Sequence, residues 1–167
     1  MTRLLVVSAL LAALGGWTPL VAAPAYARLR PQSARIAAWI ERGLAASDTF
    51  RDLVEQIERR DVIVFLDIDP RLNRGLSAGL TWMATTPSAR LVRASFRPDL
   101  PAREAVAMLA HELQHVLEVA EHPEVQSAET LAGLYARIGN RSSPAGRSWD
   151  TLAALRAGDQ VRRELLG

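Results

Sequence analysis

The sequence predicts an α+β domain, with a small, mostly antiparallel sheet of about three strands packed against a long helix and flanked by further helices. Three observations predict it. Helical periodicity occupies two blocks, residues 31–60 and 99–166, and strand-like runs are gathered between 61 and 96. Those runs do not alternate with helices, which argues against repeated parallel strand–helix units. No internal repeat and no Gly-, Ser- or Pro-rich linker divides residues 28–167, so a single domain is expected there.

Each element has a local reason. Ile36, Ala37, Trp39, Ile40 and Leu44 recur at three- and four-residue spacings, and Ser47 or Asp48 can cap a second helix carrying Phe50, Leu53, Val54 and Ile57. The run Asp61–Ile68, DVIVFLDI, is β-branched, aromatic and too short for a helix; its near-continuous apolarity predicts a central strand covered on both faces. After a Pro70–Gly75 loop, Gly79–Thr85 and Arg90–Phe96 are strands around a Thr86-Pro87-Ser88 turn, with Trp82 and Phe96 facing the core. Asp99 and Pro101 open a long helix, because Asp can cap free amides and Pro is tolerated in a first turn. That helix runs through Ala105, Met108, Leu109, Leu113, Val116 and Val119 to His122-Pro123. A helix over about Gln126–Ile138 ends at Gly139, and a last helix, Ser148–Leu166, is expected to be interrupted near Gly158.

Composition removes several function classes. With 49% hydrophobic residues and a net charge of +2 in 167 residues, the chain is neither disordered nor low-complexity. All 20 basic residues are Arg, spread among 18 acids with no like-charged run, so the high pI is no argument for a nucleic-acid partner. There is no Cys, hence no disulfide and no lipid-modified cysteine. Met1–Ala27, with Arg3, an apolar stretch Leu4–Leu14 and the small-x-small site Ala25-Tyr26-Ala27, has the layout of a secretory signal peptide. Cleavage is expected before Arg28, giving a periplasmic or secreted protein without stable membrane insertion; the alternative is that the segment stays uncleaved as a membrane anchor.

The informative constellation is His111-Glu112-Leu113-Gln114-His115, a match to HExxH. Residues four apart on a helix share one face, so the two imidazoles converge on one tetrahedral metal such as zinc, one per chain. Glu112, about 100° round the helix from His111, can take a proton from a water that the metal activates. The bland alternative makes the histidines ordinary helix residues. Against it, all three histidines of the chain fall between 111 and 122.

These residues, set on a helix after a small sheet, resemble the zincins, the HExxH zinc metallopeptidases, and the longer string AMLAHELQHVLEVAE resembles small exported HExxH proteins. The resemblance covers about residues 60–138. It implies a zincin-like fold, His111 and His115 as zinc ligands, Glu112 as catalytic base, and a peptide or protein substrate held in extended form against a strand near the sheet edge. Gly79–Thr85 and Arg90–Phe96 are the candidates for that strand.

The third ligand stays open. Where metzincins carry a Gly and a His, this chain has Glu118 and Glu121, and His122 falls one residue late. Glu118 and His122 lie about 10 and 16 Å along a helix axis from His111, too far to share a metal held between 111 and 115. The gluzincin pattern, a Glu from the following helix, points to Glu129; a helix-start acid favoured by the macrodipole explains the same residue. Glu118 can accept an imidazole N–H or be a solvated Glu. Tyr135 can donate to a reaction intermediate or fill the core, and turn chemistry accounts for Asp67 and Asp69 as well as cation binding does. Trp39, Trp82 and Trp149 read as core. The leading expectation is thus an exported zinc-dependent hydrolase; the competing one is a non-catalytic binding or scaffold module with a structural metal or none.

Overall fold

The computed structural model describes residues 26–73, 75–141 and 149–167. The expected signal segment, but for Tyr26 and Ala27, lies outside them. Chain order is β1 (Leu29–Pro31), α1 (Ala34–Ala46), α2 (Asp48–Glu58), β2 (Val62–Ile68), β3 (Ala78–Thr85), β4 (Arg90–Phe96), α3 (Ala102–Glu121), α4 (Ala128–Ile138), β5 (Asn140–Arg141), β6 (Trp149–Asp150) and α5 (Leu152–Glu164). The architecture is α+β.

The sheet departs from the expected mostly antiparallel form. Four strands lie in the order β1-β2-β4-β3, with β1–β2 and β2–β4 parallel and β3–β4 antiparallel. The 69–77 connection carries the chain past the place of β4 to the outer edge. The turn after β3, where the Thr86 N–H donates to Ala89 O at 2.8 Å, then returns β4 into the gap beside β2. β1 was not foreseen, since three residues are too few to show a period. β2 is internal, but only its Val62, Val64 and Leu66 face is fully buried; Ile63 and Phe65 on the other face are half-buried.

Helices form where caps and apolar stripes coincide. The Ser33 hydroxyl accepts from Ile36 N–H at 3.3 Å to start α1. Ser47 closes α1 and starts α2, accepting from Phe50 N–H at 3.0 Å. Between these helices Gly43 is required by close approach: a Cβ there would sit 2.6 Å from the Phe50 ring. Asp99 does not cap α3 as expected; it pairs with Arg97, and Pro101 takes the cap position without a side-chain bond.

α3 is the buried centre of the molecule. Residues 105–120 are buried on nearly every side, because the sheet, α1, α2 and α5 all pack on it. Its C-terminal end is fixed by Arg90, 2% exposed, which grips Asp61 through two bonds of 2.9 and 2.7 Å. The same guanidinium donates to the carbonyls of Val119 and His122 at 2.8 Å and of Ala120 at 3.2 Å, at the helix end where carbonyls run short of intrahelical donors. α5 runs unbroken through Gly158, contrary to expectation, and the glycine serves packing. A Cβ there would meet Ala107 O at 3.1 Å and His111 Cβ at 3.4 Å, so Gly158 lets α5 lie close on α3 beside the histidines. Phe96 is in the core, edge-on to Trp39 with ring centroids 5.9 Å apart, and Trp82 is half-buried. Tyr26, which a cut before Arg28 would remove, is also buried and donates its hydroxyl to Glu41 at 3.0 Å.

Among the described residues no helix is long and apolar enough to cross a membrane.

Candidate metal centre

The helical spacing of His111 and His115 does what the sequence predicts. Their Nε2 atoms come within 3.1 Å of each other, with ring planes at 80°, and both side chains are buried. Asp150 completes the group: its Oδ1 lies 3.3 Å from His111 Nε2, and the three ligand atoms fall within 4.8 Å of one another. Asp150 is delivered by β6, whose pairing with β5 sets Asp150 against Asn140. Immediately after it Thr151 caps α5, accepting from Ala154 N–H at 3.1 Å. The half-buried carboxylate is thus fixed by elements on both sides in sequence.

The donor set could hold a metal ion. Metal–nitrogen bonds of about 2.0–2.1 Å at tetrahedral angles put neighbouring ligand atoms about 3.3 Å apart, close to two of the three separations. A second observation is independent of distances. Glu112 is 3% exposed, and its Oε2 is a buried oxygen without a hydrogen-bond partner. An orphaned carboxylate oxygen in a folded interior costs about 1–3 kcal/mol or more, and one aimed at a ligand-binding cleft has a use for its free lone pairs.

The surrounding groups orient the ligands. Glu118 is buried, and its Oε2 lies 2.7 Å from His115 Nδ1. With the proton on Nδ1, the Nε2 lone pair of His115 faces the cluster. The Thr151 hydroxyl donates to the other oxygen of Glu118, linking the helix that carries His115 to the segment that carries Asp150. The Tyr135 hydroxyl donates to His115 O at 3.1 Å, and its ring stands edge-on to that imidazole with centroids 5.1 Å apart.

Titration follows from burial and charge. Desolvation pushes the Glu112 carboxyl upward, against the opposing pull of His115 and His111. Desolvation works against a charged His115, but the Glu118 hydrogen bond and the Glu112 charge outweigh it, and its pKa is raised. Burial, with the charges of Glu118 and Glu112 added, pushes the Tyr135 phenol far up, so it is a neutral donor.

The other sequence candidates fall elsewhere. Glu129 is exposed in the first turn of α4 and does not join the cluster: α4 docks through Leu131, Leu134 and Tyr135, which turns position 129 outward. Asp150 stands where Glu129 was expected. Glu121 is exposed, and His122, beyond the end of α3, binds Glu124 at 2.9 Å. The Asp69 carboxylate accepts from Arg71 N–H at 2.8 Å as a turn residue, and Asp67 lies opposite Ser95 on β2. Trp149 is half-buried, packed against the core, and also walls the cleft. Asp150 escaped sequence reasoning because it sits 35 residues after His115, in a stretch read as helix; the one available signal was Thr151, a cap residue that places position 150 outside the helix.

No protein-family model matches the chain, and no curated protein or solved structure is similar to it.

Proposed function

We propose that the protein is an exported zinc-dependent hydrolase acting on peptide bonds, with a zincin-like site in which His111, His115 and Asp150 hold one metal and Glu112 is the base. The observation that carries this reading is the orphaned, buried Glu112 Oε2 beside three converging ligand atoms. Export rests on the N-terminal sequence pattern alone.

A bound zinc supplies Lewis acidity, which lowers the pKa of water and polarises a carbonyl oxygen. The remaining work belongs to side chains. Glu112 Oε2 accepts one proton as the water oxygen bonds to the carbonyl carbon. It then hands that proton to the amide nitrogen as the C–N bond breaks; one water is consumed, the remaining proton of the new carboxyl group passes to the amine, and a carboxylate and an ammonium leave. Glu118 and Tyr135 hold His115 in place throughout.

Substrate binding favours β3 over β4. β4 is paired on both sides, whereas β3 is the edge strand. The Arg97 N–H donates to Ser77 O at 3.1 Å, which sets the antiparallel alternation. Gly79 and Thr81 therefore bond to β4, and Ala78 and Leu80 turn their N–H and C=O groups to the open edge beside the cluster. An extended peptide can add there as a further strand.

The test is metal content and turnover measured together. Wild type should bind about one zinc per chain, and the His111→Ala, His115→Ala double variant none. Glu112→Gln should keep the zinc and lose about 10²–10⁴-fold in hydrolysis. Zinc retained with biological activity unchanged in Glu112→Gln would instead support the non-catalytic module, and no zinc in wild type would remove the centre altogether.

A further inference from the structure

The cleft does not end at the cluster. On one side of Glu112 and Asp150 a compartment of about 310 Å³ opens between α3 and α5, walled by Ala107, Met108 and Leu155 and floored by Gly158. On the other side a compartment of about 730 Å³ runs along β3 past Leu80, Tyr135 and Trp149 to Arg93 and Ser95. Gly75, Leu76, Ala78, Glu112 and Asp150 border both. The reacting centre is therefore the waist of one continuous trough.

An enzyme that trims chain ends needs a wall, or an unspent charge, close to the reacting centre on one side. Among the described residues the smaller compartment offers neither. Its charged residues Arg162 and Asp159 are bound to each other, and Arg162 Nε also donates to both oxygens of Glu104 at 3.0 and 3.1 Å. In the larger compartment Asp69 is engaged in its turn, and Arg93, which borders it, is paired across from Thr81 and so shares the face of the sheet away from Ala78 and Leu80. The open edge of β3 passes the same waist, since Ala78 borders both compartments.

We propose that the substrate is an extended polypeptide lying through both compartments, so that the bond cut is internal to the chain; this rests on the hydrolase reading above. The smaller compartment, with Met108, Leu155 and Leu76 around it, receives an apolar side chain next to that bond.

The experiment uses zinc-loaded protein and one synthetic peptide library in two versions, with both termini capped and with both termini free, the products being identified by mass spectrometry. The expected result is cleavage of capped peptides inside the chain, leaving several residues on each side, with an apolar residue enriched on one side of the bond. Loss of single residues from uncapped peptides alone overturns the inference and leaves the hydrolase reading standing. Zinc bound with neither version cut overturns the hydrolase reading and the inference with it. Leu155→Arg, at an exposed wall position, should lower the apolar preference about tenfold or more on that side alone; an unchanged preference would remove the smaller compartment from substrate binding.

Discussion

α3 carries two buried polar clusters, one midway along it at His111–Glu118 and one at its C-terminal end around Arg90. They differ in how completely they are satisfied. All five N–H groups of the Arg90 guanidinium find acceptors, on Asp61 and on the carbonyls of Val119, Ala120 and His122. At the other cluster Glu118 and Tyr135 are satisfied, but Glu112 keeps a buried oxygen with no partner. Both clusters bury charge against one helix, so burial alone does not distinguish them. What distinguishes them is the leftover bonding capacity: a closed polar cluster holds the fold, and an open one is available to a ligand.

The largest expected effect breaks the closed cluster. Arg90→Met takes away the donor shared by the Val119, Ala120 and His122 carbonyls and removes the partner that holds the Asp61 carboxyl below its usual range. Stability should fall by about 1–3 kcal/mol, read as a shift of the urea midpoint at unchanged slope. A loss under about 1 kcal/mol would mean that water replaces the guanidinium and that the two clusters do not differ in kind.

The same contrast explains what was legible in the sequence. The histidine pair was readable because helical spacing is local: once 102–121 is a helix, His111 and His115 must share a face. The helices and three of the four sheet strands were readable for the same reason, from periodicity and turn residues. The third member of the cluster was not, because Asp150 reaches the histidines through a tertiary arrangement, α5 lying on α3 across Gly158, that no spacing rule encodes. The sheet order was misjudged for a related reason. A tight turn between β3 and β4 is visible in the sequence, whereas the insertion of β4 beside β2 depends on where the 69–77 connection crosses.

A smaller effect sharpens the comparison inside the open cluster. Glu118 belongs to its satisfied part, receiving both the His115 imidazole and the Thr151 hydroxyl. Glu118→Gln keeps the shape but removes the charge that polarises His115. Zinc affinity, measured by competition with a chelator, should weaken about 10–100-fold while the fold survives. Affinity equal to wild type would make Glu118 a packing residue and confine the centre to its three ligand atoms.

The smallest effect concerns a third polar cluster, far from α3 and largely solvated. Glu164 reaches from the end of α5 to the start of α2, accepting from the Ser47 hydroxyl, from Thr49 N–H at 3.2 Å and from the Thr49 hydroxyl at 2.8 Å, and from Gln160 at 2.8 Å. Desolvation acts to raise its pKa, but these hydrogen bonds together outweigh it and lower the carboxyl from 4.5 to about 2. A carboxyl whose folded pKa is depressed stabilises the fold above its unfolded pKa and loses that contribution as pH falls through the folded one. Between about pH 4.5 and 2, wild type should therefore lose stability that Glu164→Gln does not. At pH 7 the variant should be the weaker of the two by about 1 kcal/mol, the scale of a helix cap exposed to solvent. Parallel stability curves for the two proteins across that window would show that solvent already satisfies the start of α2, and that of the three clusters only the one at Arg90 secures the fold through its hydrogen bonds.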